Sequence, residues 1–81
     1  MEKTRYLNLK RFIKNCSLRT VLDLSSATGL SVQEENLLIY LNKGCTKTKA
    51  CLDSNISERK YTNDLHRALG KVDDYLKRAK Q

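Results

Sequence analysis

Residues 44–61 read GCTKTKACLDSNISERKY, and they contain the start signals of two helices. Thr46 and Ser57 belong to the residue types that cap a helix by accepting one of its unpaired backbone N–H groups. A helix of about residues 47–54 is therefore expected after Thr46, and a longer helix is expected after Ser57. Only two residues remain between the first helix and the second cap, which predicts a tight corner.

The residues around this corner fit two helices that cross at a steep angle. Ala50 and Cys51 are small, so the two helices can approach each other closely at the crossing. Asn55 tolerates the left-handed backbone that the corner needs, second only to Gly. Ile56 and Tyr61 are spaced to point back into the core. The corner and its two helices together predict a helix-turn-helix.

The size and composition of the chain suit a small helical bundle. Its 81 residues are enough for one domain, residues 1–81, and the sequence has no Pro and three Gly. We expect an all-α fold, a small helical bundle of four to five helices that contains the helix-turn-helix. No apolar run approaches the ~20 residues of a membrane span, and no secretory signal is expected at the N-terminus.

The N-terminal part of the chain also carries helical signals. Apolar residues at helical spacing predict a helix over residues 3–15. Ser17 is suited to cap a second helix, and Gly29 is suited to end it. We expect these two helices to form an N-terminal helical extension, residues 1–28.

The predicted helix-turn-helix core spans residues 30–69. Ser31 and Glu34 form a capping box at its start, in which each side chain satisfies a backbone donor of the first turn. The last helix of the core runs towards Gly70, and a Gly inside a helix costs about 1 kcal/mol relative to Ala. The sequence therefore predicts a bend or break at Gly70 and a separate C-terminal helix over residues 71–79.

The distribution of charge indicates a polyanionic partner. The formal net charge is +7. Residues 1–19 carry six Lys or Arg and one acid, and residues 43–60 carry five bases and two acids. Residues 20–42 carry three acids and no base. The positive charge thus collects at the first helix and at the helix-turn-helix, which favours nucleic acid over a merely solubilising surface.

The chain offers little chemistry for catalysis or metal binding. It has three Cys without C-x-x-C spacing and a single His, so we expect no cofactor, no metal site and no disulfide framework. Asp73 and Asp74 are adjacent and point about 100° apart on a helix, so they do not form a paired acid site. We therefore expect that the protein is not an enzyme. Reduced thiols are typical of a cytoplasmic location.

Several markers fall in register between residues 30 and 69, namely Leu30-Ser31, Gln33-Glu34, Leu37-Leu38, Gly44-x-Thr46, Ala50-Cys51 and Ile56-Ser57-Glu58. With these markers the region resembles the DNA-binding domain of LuxR/GerE-type transcription factors. It is also similar to the related promoter-reading domain of bacterial sigma factors, their fourth conserved region. The resemblance implies that a capped helix supports the motif and that the helix after Ile56-Ser57 is the recognition helix.

Two positions depart from the family pattern. Ser54 stands where Leu is usual, and Asn55 replaces the usual Gly. Small phage-encoded transcription regulators with a sigma-like helix-turn-helix show substitutions of this kind. The resemblance leaves residues 1–28 without a counterpart.

The expected recognition helix, residues 58–69, has one apolar and one polar side. The apolar residues that should face inward are Tyr61, Leu65, Ala68 and Leu69. Six outward residues form what we call the reading face, and they are Ser57, Glu58, Arg59, Thr62, Asn63 and His66. In the major groove, Arg pairs with guanine and Asn pairs with adenine. An ordinary solvated helix surface has a similar composition, and this alternative stays open here.

Two further groups of residues complete the expected site. A phosphate set, suited to contacts that give affinity without sequence information, comprises Thr46, Lys47, Lys49, Lys60 and Arg67. The resemblance also implies a homodimer whose interface is formed by Val72, Tyr75, Leu76 and Ala79. The alternative for this last group is that it packs on the N-terminal helix.

Two functions are consistent with these observations. The first is a sequence-specific DNA-binding transcription regulator that binds double-stranded DNA as a dimer or beside RNA polymerase. The alternative is a small phage-type protein-binding module that docks on RNA polymerase, a sigma factor or another host protein. Glu58 within the reading face and the unassigned residues 1–28 leave this alternative open.

Overall fold

The structure is a computed structural model that describes residues 2–79. Residues 1, 80 and 81 of the expected domain lie outside the described residues. Within residues 2–79 the chain forms an all-α bundle without a strand, which confirms the expected fold class. The helices are α1 (Lys3–Asn15), α2 (Leu18–Thr28), α3 (Val32–Asn42), α4 (Lys47–Ser54) and α5 (Glu58–Ala79). None of them combines the length and the apolar character that a helix needs to cross a membrane.

Local signals in the sequence set the boundaries of α2 and α3. The hydroxyl of Ser17 accepts a hydrogen bond from the backbone N–H of Thr20 at 3.2 Å, which caps α2. Gly29 ends α2 in the left-handed region, with φ of 68°. The capping box is present, since Ser31 Oγ accepts from the N–H of Glu34 at 3.2 Å and Glu34 Oε1 accepts from the N–H of Ser31 at 2.9 Å. These caps confirm the predicted helix starts.

The core lies between α3 and α5 and is completed by the first two helices. The fully buried leucines at its centre are Leu37, Leu38, Leu65 and Leu69. The N-terminal helices add the buried residues Leu9, Ile13, Val21 and Leu24 to the same cluster. The N-terminal helices therefore complete the core of the bundle.

Two buried carboxylates connect α5 with the other helices. Glu34 Oε1 accepts a hydrogen bond from Lys71 Nζ at 2.8 Å. Asp73 Oδ1 accepts a hydrogen bond from Arg5 Nε at 2.6 Å, and Lys77 Nζ lies 3.3 Å from its second oxygen. Burial raises the pKa of both carboxyls, but the hydrogen bonds and the nearby positive charges outweigh burial, so each pKa lies below its ordinary value. Both groups are therefore held in the folded protein as anions.

Helix α5 continues through Gly70 without interruption. The prediction of a break there, with residues 71–79 as a separate helix, is wrong. Leu69 and Val72 on either side of Gly70 are fully buried, and burying such side chains contributes about 1.5–3 kcal/mol each. Tertiary packing of the flanking turns therefore outweighs the cost of about 1 kcal/mol for a Gly inside a helix.

Candidate nucleic-acid interface

The corner between α4 and α5 has the backbone that the sequence indicates. Asn55 lies in the left-handed region with φ of 55° and ψ of 48°, and within residues 2–79 no other non-Gly residue has a positive φ. The N–H of Ile56 donates to the carbonyl of Cys51 at 3.1 Å. The chain thus leaves α4 and enters α5 within three residues.

The two helices of the corner start at caps and meet at small residues. Thr46 Oγ1 accepts from the N–H of Lys49 at 3.1 Å, and Ser57 Oγ accepts from the N–H of Lys60 at 3.1 Å. Ala50 is fully buried at the contact between α4 and the core. The capped starts and the close contact fix the direction of α5 relative to α4.

The first three turns of α5 have one buried side and one exposed side. The buried apolar residues are Tyr61, Leu65, Ala68 and Leu69, as expected. All six residues of the reading face are exposed. Their outward orientation is confirmed, whereas contact of this face with DNA stays a prediction.

Arg59 and Asn63 have the most available functional groups on the reading face. Neither side chain makes a hydrogen bond or an ion pair with another residue between 2 and 79. The hydroxyl of Thr62, in contrast, donates to the carbonyl of Glu58 at 3.0 Å. The carboxylate of Glu58 lies 3.7 Å from Lys47 Nζ. The face therefore presents one guanidinium and one amide that are ready for a bidentate contact.

His66 makes a contact with α1 that the sequence did not indicate. Its ring stacks on the ring of Tyr6, with centroids 5.1 Å apart and planes inclined by 24°. Lys10 Nζ lies 5.5 Å from the centroid of the same Tyr6 ring. Because the stack holds His66 against α1, His66 is less suited to base reading than Arg59 or Asn63. It marks the border between the reading face and α1.

The phosphate set is exposed, and each of its four cations faces an acid. The distances are 3.7 Å for Lys47 and Glu58, 3.9 Å for Lys49 and Asp53, 3.1 Å for Lys60 and Asp64, and 3.7 Å for Arg67 and Asp64. The pairs of Lys47 with Glu58 and of Lys49 with Asp53 are exposed on both sides, and such pairs contribute about 0–1 kcal/mol, so a DNA phosphate can compete with them. Thr46, the remaining member, uses its hydroxyl as the cap of α4.

Asp64 is a buried residue of the site that sequence reasoning missed. It is 5% exposed and forms ion pairs with two cations of the phosphate set. Lys60 lies one turn before it and Arg67 lies one turn after it. The signal was present in the sequence, because residues three and four apart on a helix are neighbours. Asp64 keeps both cations beside the reading face and supplies an internal negative charge to them.

The expected dimer interface is largely covered within the single chain. Val72 is fully buried, so its assignment to a dimer interface is wrong. Leu76 is partly buried against the same core, while Tyr75 is 39% exposed and Ala79 is exposed. The physical reason is that α1 and α2 pack on this part of α5, which was the alternative for this edge.

An open pocket of about 440 Å³ lies at the outer side of the corner. Leu52, Asn55 and Ile56 line it, and Leu52 is 75% exposed. The corner thus exposes an apolar side chain close to Glu58, which lines the same pocket.

Family models, curated proteins and solved structures were compared with this chain, and none of them matches it. The resemblance of residues 30–69 to LuxR/GerE-type and sigma-factor domains accordingly stays a prediction.

The functional groups that this surface exposes are a guanidinium, an amide, hydroxyls and cations. Within residues 2–79 no three His, Cys, Asp or Glu side chains are grouped so that they could hold a metal ion. Among residues 2–79 the side chains of Arg59 and Asn63 have no partner, and they project from the exposed side of α5. The guanidinium and the amide match base edges, and the cations match phosphates.

Proposed function

We propose that this protein is a sequence-specific DNA-binding transcription regulator. In this proposal α4 and α5 act as a helix-turn-helix, and residues 58–69 enter the major groove. One observation carries it: Arg59 and Asn63 project from a helix that is capped at its start and buried on its other side, and their functional groups are unpaired within residues 2–79. A base reader must be both positioned and unpaired, because each bidentate contact then contributes about 1–3 kcal/mol of discrimination.

The charge of the chain supports the same proposal. The net charge of +7 favours association with a polyanion. The four cations of the phosphate set are exposed; Lys60 and Arg67 lie on α5 itself, and Lys47 lies beside Glu58. Phosphate contacts made there would position α5 in the groove without reading sequence.

The proposed mode of action includes two copies on one site. As a homodimer the protein would contact half-sites one helical turn apart, ~34 Å. Of the expected interface, Tyr75 and Ala79 remain available for such a contact.

A mobility-shift assay on random-sequence duplex DNA tests the proposal. We expect binding at about 50 mM salt that weakens steeply towards about 200 mM, because bound phosphates release counterions. Selection of bound sequences from a random pool should then enrich a defined site. Absence of binding at the lower salt concentration would overturn the proposal.

A second function, docking on RNA polymerase, a sigma factor or another protein, is favoured by one observation. Leu52 is 75% exposed beside a pocket at the corner, and Glu58 places an acid next to it. An exposed apolar side chain gains nothing from a charged DNA backbone, whereas it can be buried against another protein. Two results together would favour this second function. The wild type would bind no DNA, and Leu52→Ser would lose binding to the protein partner.

A further inference from the structure

Helix α1 carries a row of cations that have no acidic partner in the part of the chain that the structure describes. Lys3, Lys10 and Lys14 recur seven and four residues apart, which places them on one flank of the helix, and Arg11 lies beside them. We call these four residues the α1 cation row. None of them forms an ion pair with an acid between residues 2 and 79, although every cation of the phosphate set does. Lys10, Arg11 and Lys14 also line one shallow pocket of about 220 Å³ together with Leu7.

This row lies next to the reading face. Tyr6 stacks on His66, the last residue of that face, with centroids 5.1 Å apart. Lys10 Nζ is 5.5 Å from the Tyr6 ring, so Tyr6 lies between a cation of the row and the reading face. The positive surface of α1 thus continues directly from the exposed side of α5.

The other end of α1 is fixed near the start of the helix-turn-helix. Asn42 Nδ2 donates to the carbonyls of Ile13 and Cys16 at 2.8 and 2.7 Å. Asn42 is the last residue of α3, and the loop that follows it leads into α4. Lys14 therefore lies at the end of the bundle where α4 begins.

We propose that the α1 cation row is a second DNA-contacting element, which binds phosphates on the backbone next to the groove that α5 enters. The inference rests on the proposed function. Lysine ammonium groups bind phosphate oxygens as compact point charges, and the guanidinium of Arg11 also matches the geometry of a phosphate. Because these cations have no internal partner among the described residues, a phosphate gains the full interaction without first displacing an acid.

Two variants of equal net charge test the inference. The first is Lys10→Gln with Lys14→Gln, which removes two charges of the row and keeps most of the side-chain length. The matched control is Arg19→Gln with Arg78→Gln, which removes one exposed cation of α2 and one of the C-terminal end of α5, neither of which forms an ion pair within residues 2–79. Affinity for duplex DNA is measured against salt concentration, and circular dichroism verifies that each variant is folded.

We expect the row variant to bind about tenfold more weakly at moderate salt, with the slope of log affinity against log salt reduced by about 1–2. The control should keep the wild-type slope. Lys10→Arg with Lys14→Arg should restore binding, because charge is the property required.

Two other outcomes separate the failures. If the wild type binds DNA and the row variant keeps its slope, or if both charge variants lose the same amount, the α1 cation row is not a contact element and the proposed function stands. If the wild type binds no DNA, the proposed function and this inference fail together.

Discussion

The guanidinium of Arg5 and the buried carboxylate of Asp73 form a hydrogen-bonded ion pair, with Nε and Oδ1 2.6 Å apart, that fastens the start of α1 to the C-terminal half of α5. We expect Arg5→Ala to lower the free energy of unfolding by about 1–3 kcal/mol, since it leaves a buried charged acceptor without its main donor. Urea unfolding followed by circular dichroism measures this change. Lys3→Ala, which removes an exposed cation from the same turn, should stay within about 0.5 kcal/mol of the wild type. Equal losses in the two variants would show that the pair does not fasten the helices.

The buried carboxylates of Glu34 and Asp73 predict how stability depends on pH. The pKa of Glu34 and that of Asp73 lie below the ordinary values of 4.5 and 3.8. A carboxyl with a lower pKa in the folded state stabilises the fold above its unfolded pKa, and this stabilisation is lost as the pH falls towards the folded pKa. We therefore expect the free energy of unfolding to be level near neutral pH and to fall below about pH 5.

In the double variant Glu34→Gln with Asp73→Asn, we expect a lower free energy of unfolding at neutral pH. We also expect this free energy to fall less steeply than in the wild type as the pH drops below about 5. Asp23→Asn, which changes an exposed acid of α2, should show the same fall of the free energy of unfolding at acidic pH as the wild type. If the free energy of unfolding of the double variant falls at acidic pH as steeply as that of the wild type, Glu34 and Asp73 do not cause the pH dependence.

Asn55 predicts an unusual order of substitutions. Its backbone is left-handed, a conformation that costs residues with a Cβ about 1–2 kcal/mol and costs Gly little. Asn55→Gly should keep or raise the free energy of unfolding, and Asn55→Ala should lower it by about 1 kcal/mol. At Asn36, an exposed position within α3, the order should reverse, because Ala exceeds Gly in helix propensity by about 1 kcal/mol. The same order at both positions would mean that the corner is not strained in this way.

Asp64 predicts a gain of DNA affinity. Its carboxylate neutralises Lys60 and Arg67, so Asp64→Asn should leave both cations free for phosphates and tighten DNA binding by about three- to tenfold. The comparison is with Asp74→Asn, which changes the net charge equally at an exposed acid remote from the reading face. Fluorescence anisotropy with a labelled duplex measures both. Identical gains would assign the effect to net charge alone.

Arg59 and Lys49 predict two different kinds of loss. Arg59 is an unpaired member of the reading face, so Arg59→Ala should relax the preference at one base pair by about 1–3 kcal/mol in selection from a random pool. Lys49 belongs to the phosphate set, so Lys49→Ala should weaken all sequences alike. If Arg59→Ala also weakens all sequences alike, Arg59 is a phosphate contact and not a base reader.

The sequence predicted those parts of the fold that depend on neighbouring residues. The caps at Ser17 and Ser31 and the left-handed Asn55 were found because each depends on a few residues close in the chain. The continuity of α5 at Gly70 and the burial of Val72 were not found. Both depend on what packs against α5 from other helices, and periodicity within α5 contains no information about that.

The same division applies to the candidate site. The exposed side of α5 followed from its apolar spacing, because a buried stripe leaves the opposite residues outside. The stack of Tyr6 on His66 joins residues far apart in the chain, and no local rule predicts it. The sequence shows the excess of positive charge in residues 1–19. It does not show where this charge lies, and only the packing of α1 beside α5 brings it next to the candidate site.

The continuity of α5 also restricts which changes in chain length this protein tolerates. A helix turns by about 100° per residue. One residue inserted within the segment 66–68 would therefore rotate Arg59 and Asn63 by about 100° relative to Val72 and Asp73. Because α5 is not interrupted at Gly70, nothing there absorbs this rotation, and the exposed side chains of Arg59 and Asn63 would turn towards the interior. Point substitutions on the exposed side leave this register intact, so we expect the specificity of the protein to change by substitution and not by insertion or deletion within α5.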